Sequence, residues 1–491
     1  ERHGPSGFGA DAPDGEVVMV VGSVSRGCQV VVIGAGPGGY VAAIRLAQLG
    51  KDVILVEKGD RLGGVCLNVG CIPSKALIHA SDLAHEVRNA GEMGLSVKGL
   101  EIDLPKMVRW KDGIVERLTG GVAFLCEKNG VEVVKGHAEF ASDRTLKVMG
   151  DEGAVEIEFE QAVIATGSRP MGLEGFPRDG EKVIGSTEAL SLQAVPERLV
   201  VIGAGYIGLE LGSVYAKLGS QVSIVEFLPA VAPTLDQEVG KALTRSLKRL
   251  GVKLLLEHRA ERFEAGDPST VIVRGPKNDE VQIEADTVMM SIGRLPNSDS
   301  LGLEAAGVEI DDKGFIPVND RMQTNVPGIY AIGDVVGGAL LAHKAYQEAK
   351  VAAEVIAGEP AAFDNVAVPA VIYTDPEVAW AGLSETEAKE KGYEVITGAF
   401  PYKASGRAMS LDATDGFVKV IADAESKLLL GVVAVGRGVS EFIGEATLAL
   451  EMGAFLEDVA LTIHSHPTMS EALQEAVEAA LGRAIHMVNK N

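Results

Sequence analysis

Three observations predict an α/β chain with two Rossmann-like dinucleotide-binding domains and a C-terminal α+β dimerisation domain. A strand runs into a GxGxxG stretch and then a helix at Gly34, and the same grammar returns at Gly203. After Pro369 the texture changes to strand-like runs followed by long helical patterns, with no glycine fingerprint. At 491 residues and 46% apolar content, the chain can bury roughly two to four domains.

Composition narrows the classes of function. A formal charge of −24 argues against a nucleic-acid backbone as partner, because binding phosphates needs clustered Lys and Arg. No run of about 18 apolar residues is present, and the start lacks a basic segment followed by an apolar one, so neither membrane span nor signal peptide is supported. Four cysteines in this length do not make a secreted disulfide scaffold, and a cytoplasmic protein is expected. Residues 1–26, with GPSGFGADAPDGE, read as a flexible N-terminal extension.

The first unit reads QVVVIGAGPGGYVAAIRLAQLGKDVILVEK. Strand Val30–Ile33 leads into Gly34, which permits the tight turn. Gly36 lets backbone N–H groups approach a pyrophosphate beside Gly38, and Gly39 lets the helix close on the strand. Glu57 ends the next strand, where a carboxylate accepts hydrogen bonds from ribose hydroxyls, with Lys58 beside it.

Next comes GGVCLNVGCIPSK, with Cys66 and Cys71 five positions apart. On a regular helix they would lie roughly 7.5 Å apart along the axis, so a bond between them requires a bent helix start. A loop this short gains only about 2 kcal/mol from such a bond, which favours a reversible bond over a staple. Neighbouring thiols without a role, and a metal site, stay open at this point. Zinc lacks its usual close pairs, since Cys28 and Cys126 are single and distant and read as buried apolar cysteines.

The second unit, RLVVIGAGYIGLELGSVYAKLGSQVSIVEF, places Gly203, Gly205 and Gly208 before Glu226. Gly34 to Glu57 and Gly203 to Glu226 both span 23 positions, so two dinucleotides are implied. Glu226 repels a 2′-phosphate and pairs with a free 2′-hydroxyl, favouring NAD over NADP. The strands AVIATGSR and YAIGDV end in Thr166-Gly167 and Gly333-Asp334. These residues suit either close approach to a cofactor's sugar-like chain or a turn with a helix cap. SIGRLPN, containing Gly293 and Arg294, marks a domain junction.

In the last domain, strand-like runs at 370–373, 416–421 and 428–435 precede helical patterns at 439–453 and 470–485. The tail of this domain reads Thr462-Ile-His-Ser-His-Pro-Thr-Met-Ser-Glu471. It puts His464 and His466 on one face if extended, with Glu471 in the next helix's first turns. General-base catalysis, a structural His–Glu contact and a metal site all remain open there.

Taken together, GGVCLNVGCIPSK, two GxGxxG units in this order, AIGDV followed by LLAHKA, and HSHPTMSE closely resemble the flavin disulfide reductases, above all the branch that oxidises dihydrolipoamide. The resemblance covers about residues 27–488. It implies FAD at the first fingerprint, NAD at the second and an obligate homodimer, with no metal. The implied division is 27–169 and 298–368 for the two parts of the FAD domain, 170–297 for the NAD domain and 369–491 for dimerisation. It further implies a redox-active Cys66–Cys71 disulfide, Cys71 against the flavin and Cys66 exchanging with the dithiol. His466 becomes the base, placed on the partner subunit's side of the site, and Glu471 its orienting carboxylate. Lys75 and Glu210 match an ion pair beside the flavin, and Asp334 with Leu341, Ala342 and His343 match FAD contacts. The expected partners are lipoyl domains of 2-oxo acid dehydrogenase or glycine cleavage complexes.

Two positions depart from the family pattern: Val65, where Thr is common, and Asp375, where His is usual. A mercuric reductase would want a C-terminal cysteine pair, and no cysteine follows Cys126. A glutathione-type reductase fits Glu226 and CIPSK less well, and a catalytically silent scaffold would not need Cys66, Cys71, His466 and Glu471 together.

Overall fold

The computed structural model describes residues 24–489, apart from 152 and 234. Most of the expected N-terminal extension, residues 1–23, lies outside the described residues. Its last three residues are corrected: Val24–Arg26 already belong to the first strand, β1 (Val24–Ile33). They pair in register with Val155–Ile157, where main-chain hydrogen bonding extends the strand beyond the continuous apolar run.

The first domain is built on a mixed seven-stranded sheet. β1 lies between β2 (Val53–Glu57) and Gly153–Ile164, parallel to both. Glu132–Lys135 and Ile329–Ala331 continue the parallel part, and an antiparallel hairpin of His137–Phe140 and Thr145–Gly150 completes it. Val30, Val31 and Val32 are fully buried, as expected for a strand covered on both faces. Helix α1 (Pro37–Gln48) starts where Gly36 leaves the strand end, with Pro at the first helical position.

The second domain repeats this plan in a five-stranded parallel sheet ordered Lys253–Leu255, Gln221–Val225, Arg198–Ile202, Thr287–Met290, Val183–Ile184. A separate antiparallel three-stranded sheet, residues 259–285, lies beside it. The chain crosses between the two domains through Ser168–Pro170 and Arg294–Pro296, which pair antiparallel. The last domain is a five-stranded antiparallel sheet carrying helices Val439–Glu451 and Glu471–Ala480.

Two buried lysines link the second and third domains in opposite directions. Lys217 leaves the second domain to reach Asp375 at 2.7 Å, and also pairs with Asp82 of the first domain. Lys419 leaves the third domain to reach Asp236 at 3.5 Å, and is held by Glu385 of its own domain at 2.8 Å. A buried ammonium is tolerated only when paired in this way. Asp375, one of the two departures noted above, is therefore a domain-interface residue.

Candidate functional site

The two nucleotide cradles are superimposable in their bonding. Gly34 N donates to Val56 O at 2.8 Å, and Gly203 N to Val225 O at 2.8 Å. Both glycines have positive φ, +96° and +103°, and an added Cβ would sit 2.5 Å from the carbonyl oxygen of Ala165 or Ser291. A Cβ on Gly39 or Gly208 would collide with the oxygen of Gly34 or Gly203, so each helix closes on its strand through a hydrogen in place of a side chain.

The acids are fixed identically. Glu57 accepts from Ala35 N and Gly59 N, both at 2.7 Å, while Glu226 accepts from Ala204 N at 2.7 Å and Leu228 N at 2.8 Å. Each carboxylate thus stands at a strand end with capacity left for ribose hydroxyls.

The first cradle opens into a cleft of about 810 Å³. Gly34, Gly36, Gly38, Glu57, Lys58, Cys66, Cys71, Lys75, Thr166, Gly167, Glu210, Arg294, Asp334 and Ala342 line it. An alanine at Gly36 would meet protein only at 3.9 Å, so its missing side chain serves whatever lies in the cleft. These features fit a dinucleotide: a helix start for the pyrophosphate, an anchored carboxylate for the ribose and a second carboxylate, Asp334, farther along. Asp334 accepts from Ser168 Oγ, which accepts from Arg294 Nε at 2.7 Å, while Gly333 N is held by Glu348 Oε2 at 2.7 Å.

Four predicted contacts lie elsewhere. Gly39 serves packing, and Gly293 takes part in the crossover, where Met171 N donates to its oxygen. Leu341 precedes the helix Ala342–Ala357 without lining the cleft. His343 does not line the cleft with its ring, whose Nε2 contacts Pro369 O at 2.6 Å beside the linker into the third domain. Gly203, Gly205, Gly208 and Glu226 form the second cradle, outside this cleft. Sequence reading missed Ser168 and Asn68, which line the cleft, although both lie inside motifs it quoted. Asn68 clamps the cysteine turn by donating to Leu62 O at 3.1 Å and Gly64 O at 2.9 Å.

The required bend between the cysteines falls at Gly70. Helix α2 (Gly64–Val69) carries Cys66, Gly70 breaks it with φ −142° and ψ −111°, and α3 (Cys71–Asn89) restarts at Cys71. The two cysteines stand as free thiols on either side of this bend. Interaction with Cys66 and the Lys75 charge bring Cys71 down to about 7 against burial, while interaction with Cys71 and burial push Cys66 well above the usual thiol range. By contrast, burial pushes Cys28 up to about 12 and Cys126 up to about 11, and both pack in apolar clusters as expected.

Lys75 Nζ reaches Glu210 Oε2 at 2.9 Å, joining α3 to the second cradle's helix. Glu210 is 4% exposed and also accepts from Tyr373 N at 2.9 Å, and the Tyr373 ring lies 4.5 Å from Lys75 Nζ. This contribution of the third domain was not read from the sequence.

The two histidines separate. His464 is tied down, with Nε2 on Glu445 at 2.7 Å and a side chain 4% exposed, so it is structural. His466 is 81% exposed; its Nδ1 meets Glu471 Oε1 at 2.9 Å, while Glu471 Oε2 accepts from Thr468 N at 2.7 Å. This leaves Nε2 available, and His466 is not among the residues lining this chain's own cleft. Among the described residues, no group of three or more His, Cys, Asp or Glu is placed to hold a metal ion.

Known proteins resemble this chain over nearly its whole length. Residues 28–349 match the family described as pyridine nucleotide-disulphide oxidoreductase, and residues 368–477 match its dimerisation domain. A dihydrolipoyl dehydrogenase of Halobacterium salinarum is 48% identical over 96% of this chain and 100% of its own length, and one of Bacillus subtilis is 46% identical over the same shares. Among solved structures, LpdA from Mycobacterium tuberculosis aligns with a TM-score of 0.85 and 27% identity, covering 92% of this chain and 99% of that one. The HOCl-induced flavoprotein disulfide reductase RclA from Escherichia coli aligns over the same shares with 0.83 and 28%.

Proposed function

The chain belongs to the pyridine nucleotide-disulphide oxidoreductase family, and from that premise we propose that it acts as a dihydrolipoyl dehydrogenase, oxidising dihydrolipoamide and reducing NAD⁺. It is an oxidoreductase that uses FAD and NAD and forms a homodimer through its third domain. The observation that carries the reading is the split thiol pair at Gly70, facing the cleft beside the Lys75–Glu210 bridge.

FAD held in the cleft supplies the two-electron relay between the thiol pair and the nicotinamide. Glu57, the α1 start and Asp334 are the groups that would hold it, and Glu226 with Gly203 and Gly205 would hold NAD. A substrate thiol gives its proton to Nε2 of His466 from the partner subunit, because only a thiolate attacks a disulfide. Glu471 fixes the ring through Nδ1 and stabilises the imidazolium. The thiolate attacks Cys66 Sγ, and the Cys66–Cys71 bond breaks with its electron pair going to Cys71. The Lys75 charge beside Cys71 favours the thiolate that leaves. The second substrate sulfur then attacks the sulfur bound to Cys66 as its proton passes to the departing Cys66 sulfur. This releases oxidised lipoamide and leaves a Cys66 thiol and a Cys71 thiolate, with the first proton on His466. The enzyme pair is then reduced by two electrons.

The physiological substrate would be a lipoyl arm on a 2-oxo acid dehydrogenase or glycine cleavage complex, in the cytoplasm. Among the described residues, no helix is long and apolar enough to cross a membrane. Anaerobic mixing of the purified flavoprotein with dihydrolipoamide and NAD⁺ tests the proposal. NADH formation is expected. A flavin-bearing protein that is inert with dihydrolipoamide yet reduces glutathione disulfide with NADPH would overturn it.

A further inference from the structure

The helix Ala342–Ala357 carries two buried charges that the thiol chemistry does not use and that do not line the cleft. Lys344 stands in its first turn and Glu348 one turn on, with side chains 10% and 3% exposed. Lys344 Nζ lies 2.5 Å from Glu348 Oε1 and has no hydrogen-bond partner elsewhere among the described residues.

The pair is badly placed to serve the helix itself. A cation in the first turn opposes the helix dipole, and Lys before Glu is the weaker order at this spacing. An apolar pair of similar size would often serve stability better than two buried charges. The use of the pair lies in the second carboxylate oxygen. Glu348 Oε2 accepts from Gly333 N at 2.7 Å, immediately before Asp334, which lines the cleft. Gly333 opens the short turn Gly333–Val336 with φ +77°. Asp334 is thus fixed from two sides: Ser168 Oγ holds its carboxylate, and Glu348 holds the backbone that carries it.

We propose that Lys344 and Glu348 are positioning residues for FAD, holding the Gly333–Asp334 turn so that the Asp334 carboxylate meets the cofactor. The inference rests on reading the first cleft as the FAD site. An ionised Glu348 gives Gly333 N a charged acceptor, and a protonated one does not. Burial pushes the Glu348 carboxyl above its usual range, the Lys344 charge and the Gly333 bond oppose that rise, and the Asp334 charge adds to it. Helix α1, packed on the same helix, brings Tyr40 and Arg45 as its titratable groups, and these are taken by Tyr346 and Glu354. Lys344 is therefore the cation that keeps Glu348 an anion.

The test is release of FAD from the oxidised, FAD-loaded dimer, in which Cys71 has no thiol to titrate, read as flavin absorbance passing an ultrafiltration membrane between about pH 6 and about pH 9. Lys344→Met should speed release about tenfold at the acidic end and approach the parent rate at the alkaline end, where Glu348 ionises unaided. Lys344→Met/Glu348→Gln buries no unpaired charge, and carries the test should Lys344→Met not accumulate with flavin. It should release FAD at one rate throughout, faster than the parent. Asp334→Ala separates this inference from the reading beneath it. If Asp334→Ala speeds release, while Lys344→Met is unchanged or equally accelerated at every pH, or the double variant behaves as the parent, the positioning role is wrong and the FAD reading stands. If Asp334→Ala leaves release unchanged, the cleft does not hold FAD as read and both fall.

Discussion

The first and second cradles use one backbone design for two tasks. Their strand ends, turn glycines and acids match bond for bond, yet beyond the turn that follows each acid the chains take different courses. After Glu57 the chain folds back as α2 and α3, packs Gly64 against Gly36 and sets Cys66 and Cys71 over the cleft. After Glu226 the offset of 169 puts Leu235 and Gly240 where the cysteines stand. The cradle confers nucleotide geometry, and the crossover segment confers the chemistry.

Substitutions at the crossover should therefore separate the cradles most sharply. Cys71→Ser should cut dihydrolipoamide-dependent NADH formation at least about 10³-fold, because the leaving thiolate is lost. NADH-driven reduction of an artificial electron acceptor should persist in the same variant, since it bypasses the thiols. Parallel loss of both activities would contradict the division of labour.

Turn substitutions probe what the cradles share. Gly34→Ala and Gly203→Ala should each cost at least about 1–3 kcal/mol of local strain, since an alanine must adopt positive φ against a carbonyl oxygen. The first should appear as FAD loss and the second as weaker NAD⁺ binding with flavin retained. Exchange of the two phenotypes would reverse the assignment of the cradles.

A smaller effect is expected at the acids. Glu57→Gln should lower FAD retention and Glu226→Gln should lower NAD⁺ affinity, each by about tenfold, through loss of a charged acceptor.

The mildest effect is on pH. In the reduced enzyme, Cys71 lies below its ordinary value of 9.0, so the thiolate's contribution to the folded dithiol is complete above that value and fades as pH falls through about 7. Alkylation of the reduced enzyme by iodoacetamide should titrate near pH 7 at Cys71, with Cys28 and Cys126 silent. Lys75→Met should move the midpoint upward. A midpoint near 9 in the parent enzyme would contradict the lowered Cys71 value.

Much of this was legible because it is local. Each cradle sits within a short stretch in which glycine spacing, apolar runs and one acid report the backbone directly, and the bend at Gly70 follows from the cysteine spacing. What escaped reading depends on distant partners. Lys217 finds Asp82 and Asp375 across separations of 135 and 158 positions, with no periodicity to announce them. His464 and His466 look equivalent in sequence. They part company because Glu445, on another helix, captures only the first. His343 likewise turns to a carbonyl 26 positions away.

The account's central claim is that the crossover thiols of one subunit work with His466 of the other. Cys71→Ser and His466→Gln dimers, each inactive, can be dissociated, mixed in equal amounts and reassociated. Hybrid dimers then contain one site with both wild-type groups. The account predicts recovery to about a quarter of wild-type turnover, since half the dimers are hybrid and each has one of two sites intact. No recovery, with hybrid formation verified by mass, would place the histidine and the thiols of each site on the same chain.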